Sequence, residues 1–181
     1  MPRLNPIDPA TATGKAKDLL DGVQKKMGGT PNIFRTFANS PAVLEAYLGF
    51  SGALGKGTLS PQVREQIALI VGQTNDCDYC LAAHTTIGKM VGLSEDQLLA
   101  SRRAEAAEGE TAAILRFARK LVTDRGNVSD ADVQALRQAG LDDAAIAEVV
   151  ANVALNLFTN YFNHVAGTEV DFPPAPAVQA A

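Results

Sequence analysis

The chain has 181 residues, 46% of them hydrophobic and 20% charged, the composition of one ordinary globular domain. Sixteen Lys and Arg against twenty Asp and Glu leave a formal net charge of −4, and no Lys/Arg-rich run occurs, which argues against nucleic acid or an anionic membrane as partner. A domain of this size builds its core without disulfide staples or a structural metal, so the two cysteines are free for chemistry.

The opening Met1-Pro2-Arg3-Leu4-Asn5-Pro6 lacks an apolar signal core, and no stretch reaches the roughly 18 apolar residues of a membrane span. The expectation is a soluble, cytoplasmic protein in a reducing compartment, where a C-x-x-C pair is more often catalytic or metal-binding than structural.

Apolar residues recur at three- and four-residue spacing nearly throughout, and β-branched alternating runs are missing, so the fold class is all-α. A first helix is expected from about Ala10 to Met27, stopped by Gly28-Gly29, followed by a short turn from Pro31 to Asn39. A helix from Pro41 to Leu54 ends at Gly55-Lys56-Gly57. Ser60 as N-cap and Pro61 at the first position start a helix to Asn75. Cys77 opens the next, which ends at Gly92. Ser94 and Gln97 have capping-box spacing and start a short helix to Arg103. Further helices are expected at Glu110 to Arg125, Ser129 to Ala139 and Asp142 to Ala166. Gly92-Leu93-Ser94-Glu95 and Gly140-Leu141-Asp142-Asp143 are similar helix entries, a weak hint of internal repetition. Residues 1–173 form one helical domain, and 174–181 a tail expected to be disordered, with packing only at Asp171-Phe172.

Function is best sought around Asp76-Cys77-Asp78-Tyr79-Cys80-Leu81-Ala82-Ala83-His84. At about 100° per residue, Cys77, Cys80 and His84 share roughly 60° of one helix face, so one imidazole can serve both sulfurs. A cysteine at the helix N-terminus meets unpaired N–H groups and the positive dipole end, both favouring thiolate. On the preceding helix, Val63, Ile67, Ile70 and Val71 form one apolar stripe and Ala68, Leu69 and Gly72 another. Glu65 lies within the second. A helix apolar on two faces is sandwiched, so Glu65 should be buried and poised as a general base.

Other readings stand beside this one. The cysteines could form a structural disulfide or a chance buried pair. Cys77, Cys80, His84 and Glu65 could hold zinc or iron, although three ligands within a turn and a half of helix is unusual for a structural site. Haem attachment would need histidine where Leu81 stands. A lone histidine on an apolar helix is more often a satisfied core residue, but the register of His84 with both cysteines points the other way. For Glu65, a structural ion pair with Arg64 or Lys89 stands level with a catalytic role. Asn152, Asn156, Asn160 and Asn163 form an amide stripe on the last helix. Such a stripe either satisfies buried polar groups and fixes an interface or lines a substrate channel with His164 at its end.

Glu65, Cys77, Cys80 and His84 together make the pattern E-x11-C-x2-C-x3-H, which resembles that of the AhpD-like alkyl hydroperoxidases of the carboxymuconolactone decarboxylase superfamily. The resemblance is strongest from Ser60 to Leu93. It includes the closing Asn160-Tyr161-Phe162-Asn163-His164-Val165-Ala166-Gly167-Thr168-Glu169-Val170-Asp171-Phe172-Pro173 and spans roughly residues 30 to 173. It implies an all-α bundle assembled into homotrimers or homohexamers, with the C-x-x-C near subunit contacts and no cofactor. It further implies a thiol-dependent peroxidase or disulfide reductase acting on small organic hydroperoxides. Cys80 would attack and become a sulfenic acid, Cys77 would resolve it, and Glu65 and His84 would relay protons. A lipoyl or thioredoxin-like protein, or a small thiol, would return the electrons. Where some members carry histidine before the second cysteine this chain has Tyr79, whose phenol cannot shuttle protons at pH 7 in the same way. The alternatives are a non-enzymatic oligomer using the C-x-x-C as redox sensor or metal site, and a decarboxylase-like member, which is disfavoured because such enzymes generally lack the paired cysteines.

Overall fold

The computed structural model describes residues 1–178; residues 179–181 of the expected tail lie outside the described residues. The described chain is all-helical: α1 (Gly14–Met27), α2 (Asn32–Phe37), α3 (Pro41–Leu54), α4 (Pro61–Thr74), α5 (Asp78–Met90), α6 (Glu95–Arg102), α7 (Gly109–Thr123), α8 (Asp130–Gln138) and α9 (Asp143–Ala166).

Local chemistry sets most of these limits. Ser60 accepts from the Val63 N–H at 3.2 Å at the start of α4, and Ser94 with Gln97 forms a reciprocal capping box on α6, so orphan amides of the first turns find partners. Gly28 closes α1 in the left-handed region at φ 75°. Two departures from the sequence expectation have simple causes. Residues Ala10 to Ala12 belong to a turn, because the Asp8 carboxylate accepts from Ala10 N–H and the Asp8 carbonyl from Thr11 and Ala12, so α1 starts at Gly14. Pro31 to Asn39 contains a six-residue helix, α2, too short to show periodicity and held by burial of Ile33, Phe34 and Phe37. The two similar Gly-Leu entries are a shared local device, each a left-handed glycine (φ 94° and 105°) before a buried leucine.

Helix α4 is the hub, packed against α5, α6, α7 and α9. Its residues Gln66 to Gly72 are all buried. Ile67, Ile70 and Val71 join Ile114, Leu115, Leu136 and Val149 in one core, while Leu69 meets Leu81, Leu93 and Leu98 in another. Both apolar stripes are thus covered within one chain. A third core, Leu20, Phe34, Phe37 and Leu44, packs α1 to α3 around Cys77, Tyr79 and Cys80. Each fully buried leucine or isoleucine contributes about 2 kcal/mol.

The ends of the chain are tied back to this frame. The Asn32 backbone N–H donates to Asp171 at 2.8 Å. Ala175 packs on the Leu69 core, and the buried Arg102 guanidinium donates to Gln73 and to the Pro176 carbonyl. In the described part of the tail, therefore, contacts extend beyond Asp171-Phe172.

The loop before α4 is held by Glu148 of α9, whose carboxylate accepts from Thr58 N–H at 2.8 Å and Leu59 N–H at 3.1 Å. Gly57 makes this approach possible, since a Cβ there would fall 2.5 Å from Glu148 Oε2. These backbone donors, with the Arg64 charge nearby, hold the Glu148 carboxyl below its ordinary value. A carboxylate so lowered stabilises the fold above the ordinary glutamate value of about 4.3, and the contribution is lost as pH falls through the lowered one. We therefore expect Glu148→Gln to cost about 1 kcal/mol at pH 7, with the difference from the natural protein shrinking below pH 4 in chemical denaturation.

Candidate active site

The cysteine pair is placed by the junction of α4 and α5. Asp76 adopts the left-handed conformation at φ 53°, and the Cys77 N–H then reaches back to the Gly72 carbonyl at 2.9 Å, a Schellman closure. Cys77 becomes the N-cap of α5, its Sγ accepting from the Cys80 N–H at 3.3 Å. Both cysteines are buried, at 1% and 2% exposure, and they form a disulfide with Sγ–Sγ 2.12 Å and Cα–Cα 5.3 Å.

Antiparallel packing of α5 on α4 brings His84 to Glu65, with Nδ1 to Oε2 2.7 Å. Both are half-buried, at 20% and 17% side-chain exposure. A carboxylate only accepts, so Nδ1 is the donor and the other ring nitrogen, Nε2, can accept a proton or give one up. The partner of Glu65 is thus His84 and neither of the two cations considered from sequence. Arg64 donates to the Leu59 carbonyl at 2.6 Å, and Lys89 pairs with Glu95 at 2.8 Å.

Cys80, Glu65 and His84 line one cavity of about 520 Å³ between α1, α3, α4, α5 and α9, and among the described residues Cys77 does not line it. Apolar Leu19, Val23, Phe34, Leu48, Ala68 and Leu155 form much of its wall. Among the described residues no three His, Cys, Asp or Glu side chains are grouped to hold a metal ion, and both sulfurs bond to each other. As they stand, the four candidate side chains do not form a ligand set.

Tyr79 has a different task from the histidine it replaces. Its hydroxyl accepts from the buried Ile33 N–H at 3.2 Å, its ring packs edge-on against Phe172 at 5.7 Å, and burial pushes its phenol far above the ordinary value, with Asp171 adding to the rise. It pins α2 and the C-terminal segment to the cysteine turn and is no proton carrier near neutrality. Tyr47, also in the cavity, is raised to about 12 by burial and the nearby Glu65 charge.

The amide stripe divides in two. Asn152 and Asn156 donate to carbonyls of their own helix, those of Glu148 and Asn152, both at 2.8 Å. Asn160 and Asn163 donate to Cys80 Sγ, at 3.0 Å and 3.4 Å. Asn160 is oriented by Asn75, which donates to its Oδ1 at 2.9 Å. His164 is exposed and offers only its carbonyl, to Arg3, so it does not end the channel. Spacing alone could not separate the sulfur-facing amides from the self-capping ones.

Tyr79→Phe should leave disulfide reduction by dithiothreitol unchanged while lowering stability by about 1–3 kcal/mol, because a buried backbone donor loses its acceptor. Thermal melting with a thiol assay checks both; slower reduction with unchanged melting would reverse the assignment.

Comparison with known proteins agrees with this geometry. The Carboxymuconolactone decarboxylase family matches residues 41–124, which hold Glu65, both cysteines and His84. No curated protein matches significantly. The chain is similar to the solved alkylhydroperoxidase AhpD core, a peroxidase-related protein from Ralstonia eutropha JMP134, at 26% identity and TM-score 0.83 over 94% of this chain and 92% of that one. A peroxidase-related protein from Silicibacter sp. TM1040 superposes at TM-score 0.78 and 24% identity, over 97% and 94% of the two chains. The debrominase Bmp8, solved as a C82A variant with 2,3,4-tribromopyrrole, shares the fold at 17% identity and TM-score 0.80, over 93% and 91%. In its helical fold the chain is thus similar to AhpD-like proteins of the carboxymuconolactone decarboxylase superfamily, and the family match over residues 41–124 contains Glu65, Cys77, Cys80 and His84.

Proposed function

We infer that the protein is a thiol-dependent peroxidase, reducing small organic hydroperoxides through the Cys77–Cys80 dithiol without a cofactor. The observation that carries this reading is the pairing of a C-x-x-C disulfide with a Glu65–His84 dyad on one cavity that admits Cys80. At about 520 Å³, with apolar walls, the cavity suits an organic substituent rather than hydrogen peroxide alone.

In the reduced protein His84 Nε2 takes the proton of the Cys80 thiol. The thiolate attacks the hydroxyl oxygen of the hydroperoxide, the S–O bond forms, the O–O bond breaks, and the departing alkoxide takes the proton back from His84. Two electrons have passed from sulfur to peroxide. Cys77 then attacks the Cys80 sulfenic acid, the disulfide forms, and the released hydroxide leaves as water with the Cys77 proton. Glu65 acts through His84, fixing its tautomer and balancing the charge of the imidazolium. A thiol reductant must reach Cys80, the sulfur on the cavity, and displace Cys77, whose N-cap position makes it the better leaving thiolate. A small thiol or the slender arm of a lipoyl protein fits that route better than the broad surface of a thioredoxin-like protein. Homo-oligomer formation is best supported by the exposed Val150, Phe158, Tyr161 and Val165 of α9.

Loss of two thiols per chain after one equivalent of cumene hydroperoxide, in protein free of metal, is the expected result; stoichiometric zinc in the purified protein would sink the enzyme reading. Cys80→Ser should abolish peroxide consumption, whereas Cys77→Ser should give one turnover ending in a sulfenic acid visible by mass spectrometry. A stable oxidised Cys77 in the Cys80→Ser protein would reverse the two roles. Glu65→Gln keeps an acceptor for His84 but not the charge, so we expect peroxide reduction to slow about 10²-fold with melting changed by only a few degrees. A several-degree loss of melting temperature with an unchanged pH–rate profile would make Glu65 a purely structural partner.

A further inference from the structure

Asn163 carries an acceptor that the fold leaves unused. The residue is 5% exposed, and its Oδ1 is buried with no hydrogen-bond partner. Asn163 is among the residues that line the cavity with Cys80. Leaving a buried acceptor unpaired is costly, and the neighbouring polar groups on α9 are already engaged. Asn160 binds Cys80 and Asn75, Asn156 donates to the Asn152 carbonyl, and the Thr159 hydroxyl donates to the Asn156 carbonyl. Because a sulfur at Cys80 accepts, the N–H end of the Asn163 amide faces it, and Oδ1 must point elsewhere.

We propose that Asn163 is a catalytic residue that holds both reactants, its Nδ2 donating with that of Asn160 to the Cys80 thiolate while its Oδ1 accepts the O–H of a protonated hydroperoxide. The proposal rests on the hydroperoxidase reading and assigns the residue that recognises the O–H of the attacked oxygen. The geometry permits it. Nitrogen and oxygen of one amide lie about 2.2 Å apart, so with Nδ2 at 3.4 Å from Cys80 Sγ, Oδ1 is no more than about 6 Å from the sulfur. That span accommodates one near-attack S···O distance of about 3.3 Å and one O–H···O bond of about 2.7 Å. During the step the hydrogen held by Oδ1 stays on the transferred oxygen and becomes the sulfenic O–H, while His84 supplies the proton to the alkoxide. Asn163 therefore needs no change of protonation; the titratable groups that line the cavity with Cys80 are Asp18 and Lys26 on α1, Tyr47 on α3, Arg64 and Glu65 on α4, and Tyr79 and His84 on α5.

The test uses Cys77→Ser protein, in which Cys80 is the remaining thiol, and two reagents. Cumene hydroperoxide brings an O–H; methyl methanethiosulfonate has no hydrogen-bond donor and reports the thiolate alone, forming a mixed disulfide and releasing methanesulfinate. Both rates are followed against pH and compared at their plateaus. Adding Asn163→Leu should lower the hydroperoxide rate about tenfold relative to the thiosulfonate rate. Asn163→Asp keeps an acceptor but loses the donor, so it should preserve most of that ratio while moving the onset of the thiosulfonate plateau to higher pH. An unchanged ratio in Asn163→Leu, an equal fall in both variants, or an unmoved onset in Asn163→Asp would overturn the proposal, and the Asp variant decides it should the Leu variant fail to fold. A Cys77→Ser protein that reacts with the thiosulfonate and with no hydroperoxide overturns the hydroperoxidase reading and the Oδ1 role together; the movement of the plateau onset still reads the amide contacts to sulfur separately.

Discussion

The closure of Cys77 N–H onto the Gly72 carbonyl at 2.9 Å is the contact on which the arrangement of the site depends. It ends α4, reverses the chain within three residues, and starts α5 with a cysteine as its cap. Because the reversal makes the two helices antiparallel neighbours, a residue eleven positions before Asp76 can meet one eight positions after it, and Glu65 reaches His84 at 2.7 Å. The same reversal presses the first turn of α5 against α9, where Asn160 and Asn163 find Cys80. The non-glycine left-handed residue Asp76, at φ 53°, is the local strain that permits the turn; aspartate tolerates that conformation better than most side chains.

Much of this was legible in the sequence because the signals are local. Ser60-Pro61, Ser94 with Gln97 and Gly28 carry their boundary information in one or two side chains, and their elements start or stop where those residues say. The one-face register of Cys77, Cys80 and His84 follows from helix geometry, and Glu65 was marked by standing alone in an apolar stripe. What escaped depends on tertiary contact. The six residues of α2 hold no periodicity and become helical because Ile33, Phe34 and Phe37 are buried. Coverage of both stripes of α4 needs four helices from distant parts of the chain, which no single helical pattern reveals. The Asn stripe was visible as a stripe, but its division between backbone carbonyls and a sulfur depends on where α5 crosses α9.

Tyr79 shows how one substitution redistributes duties. In a chain with histidine at that position a second proton carrier could stand between the cysteines. Here the side chain binds the Ile33 amide and packs on Phe172, so it fastens α2 and the C-terminal segment against the redox turn. The cysteine turn is thereby held from two sides, and the imidazole that shares the cavity with Cys80 is that of His84, paired with Glu65.

The two sulfurs, three residues apart, are made chemically unequal by this fold. Cys77 is bound by a backbone N–H as the cap of α5 and, among the described residues, does not line the cavity; Cys80 faces the cavity and receives two side-chain amides from α9. The helix terminus favours a thiolate at the first cysteine, as in any capped C-x-x-C turn. Taken alone it would make Cys77 the more reactive sulfur. The donors on α9 act in the opposite sense, and they act at the sulfur that lines the cavity. The two sulfurs thus sit in different surroundings, one capped by a backbone amide and the other lined by two side-chain amides. An isolated α5 peptide would retain the cap and lose the amides, so the difference between the surroundings of the two sulfurs is a property of the tertiary structure and not of the C-x-x-C sequence.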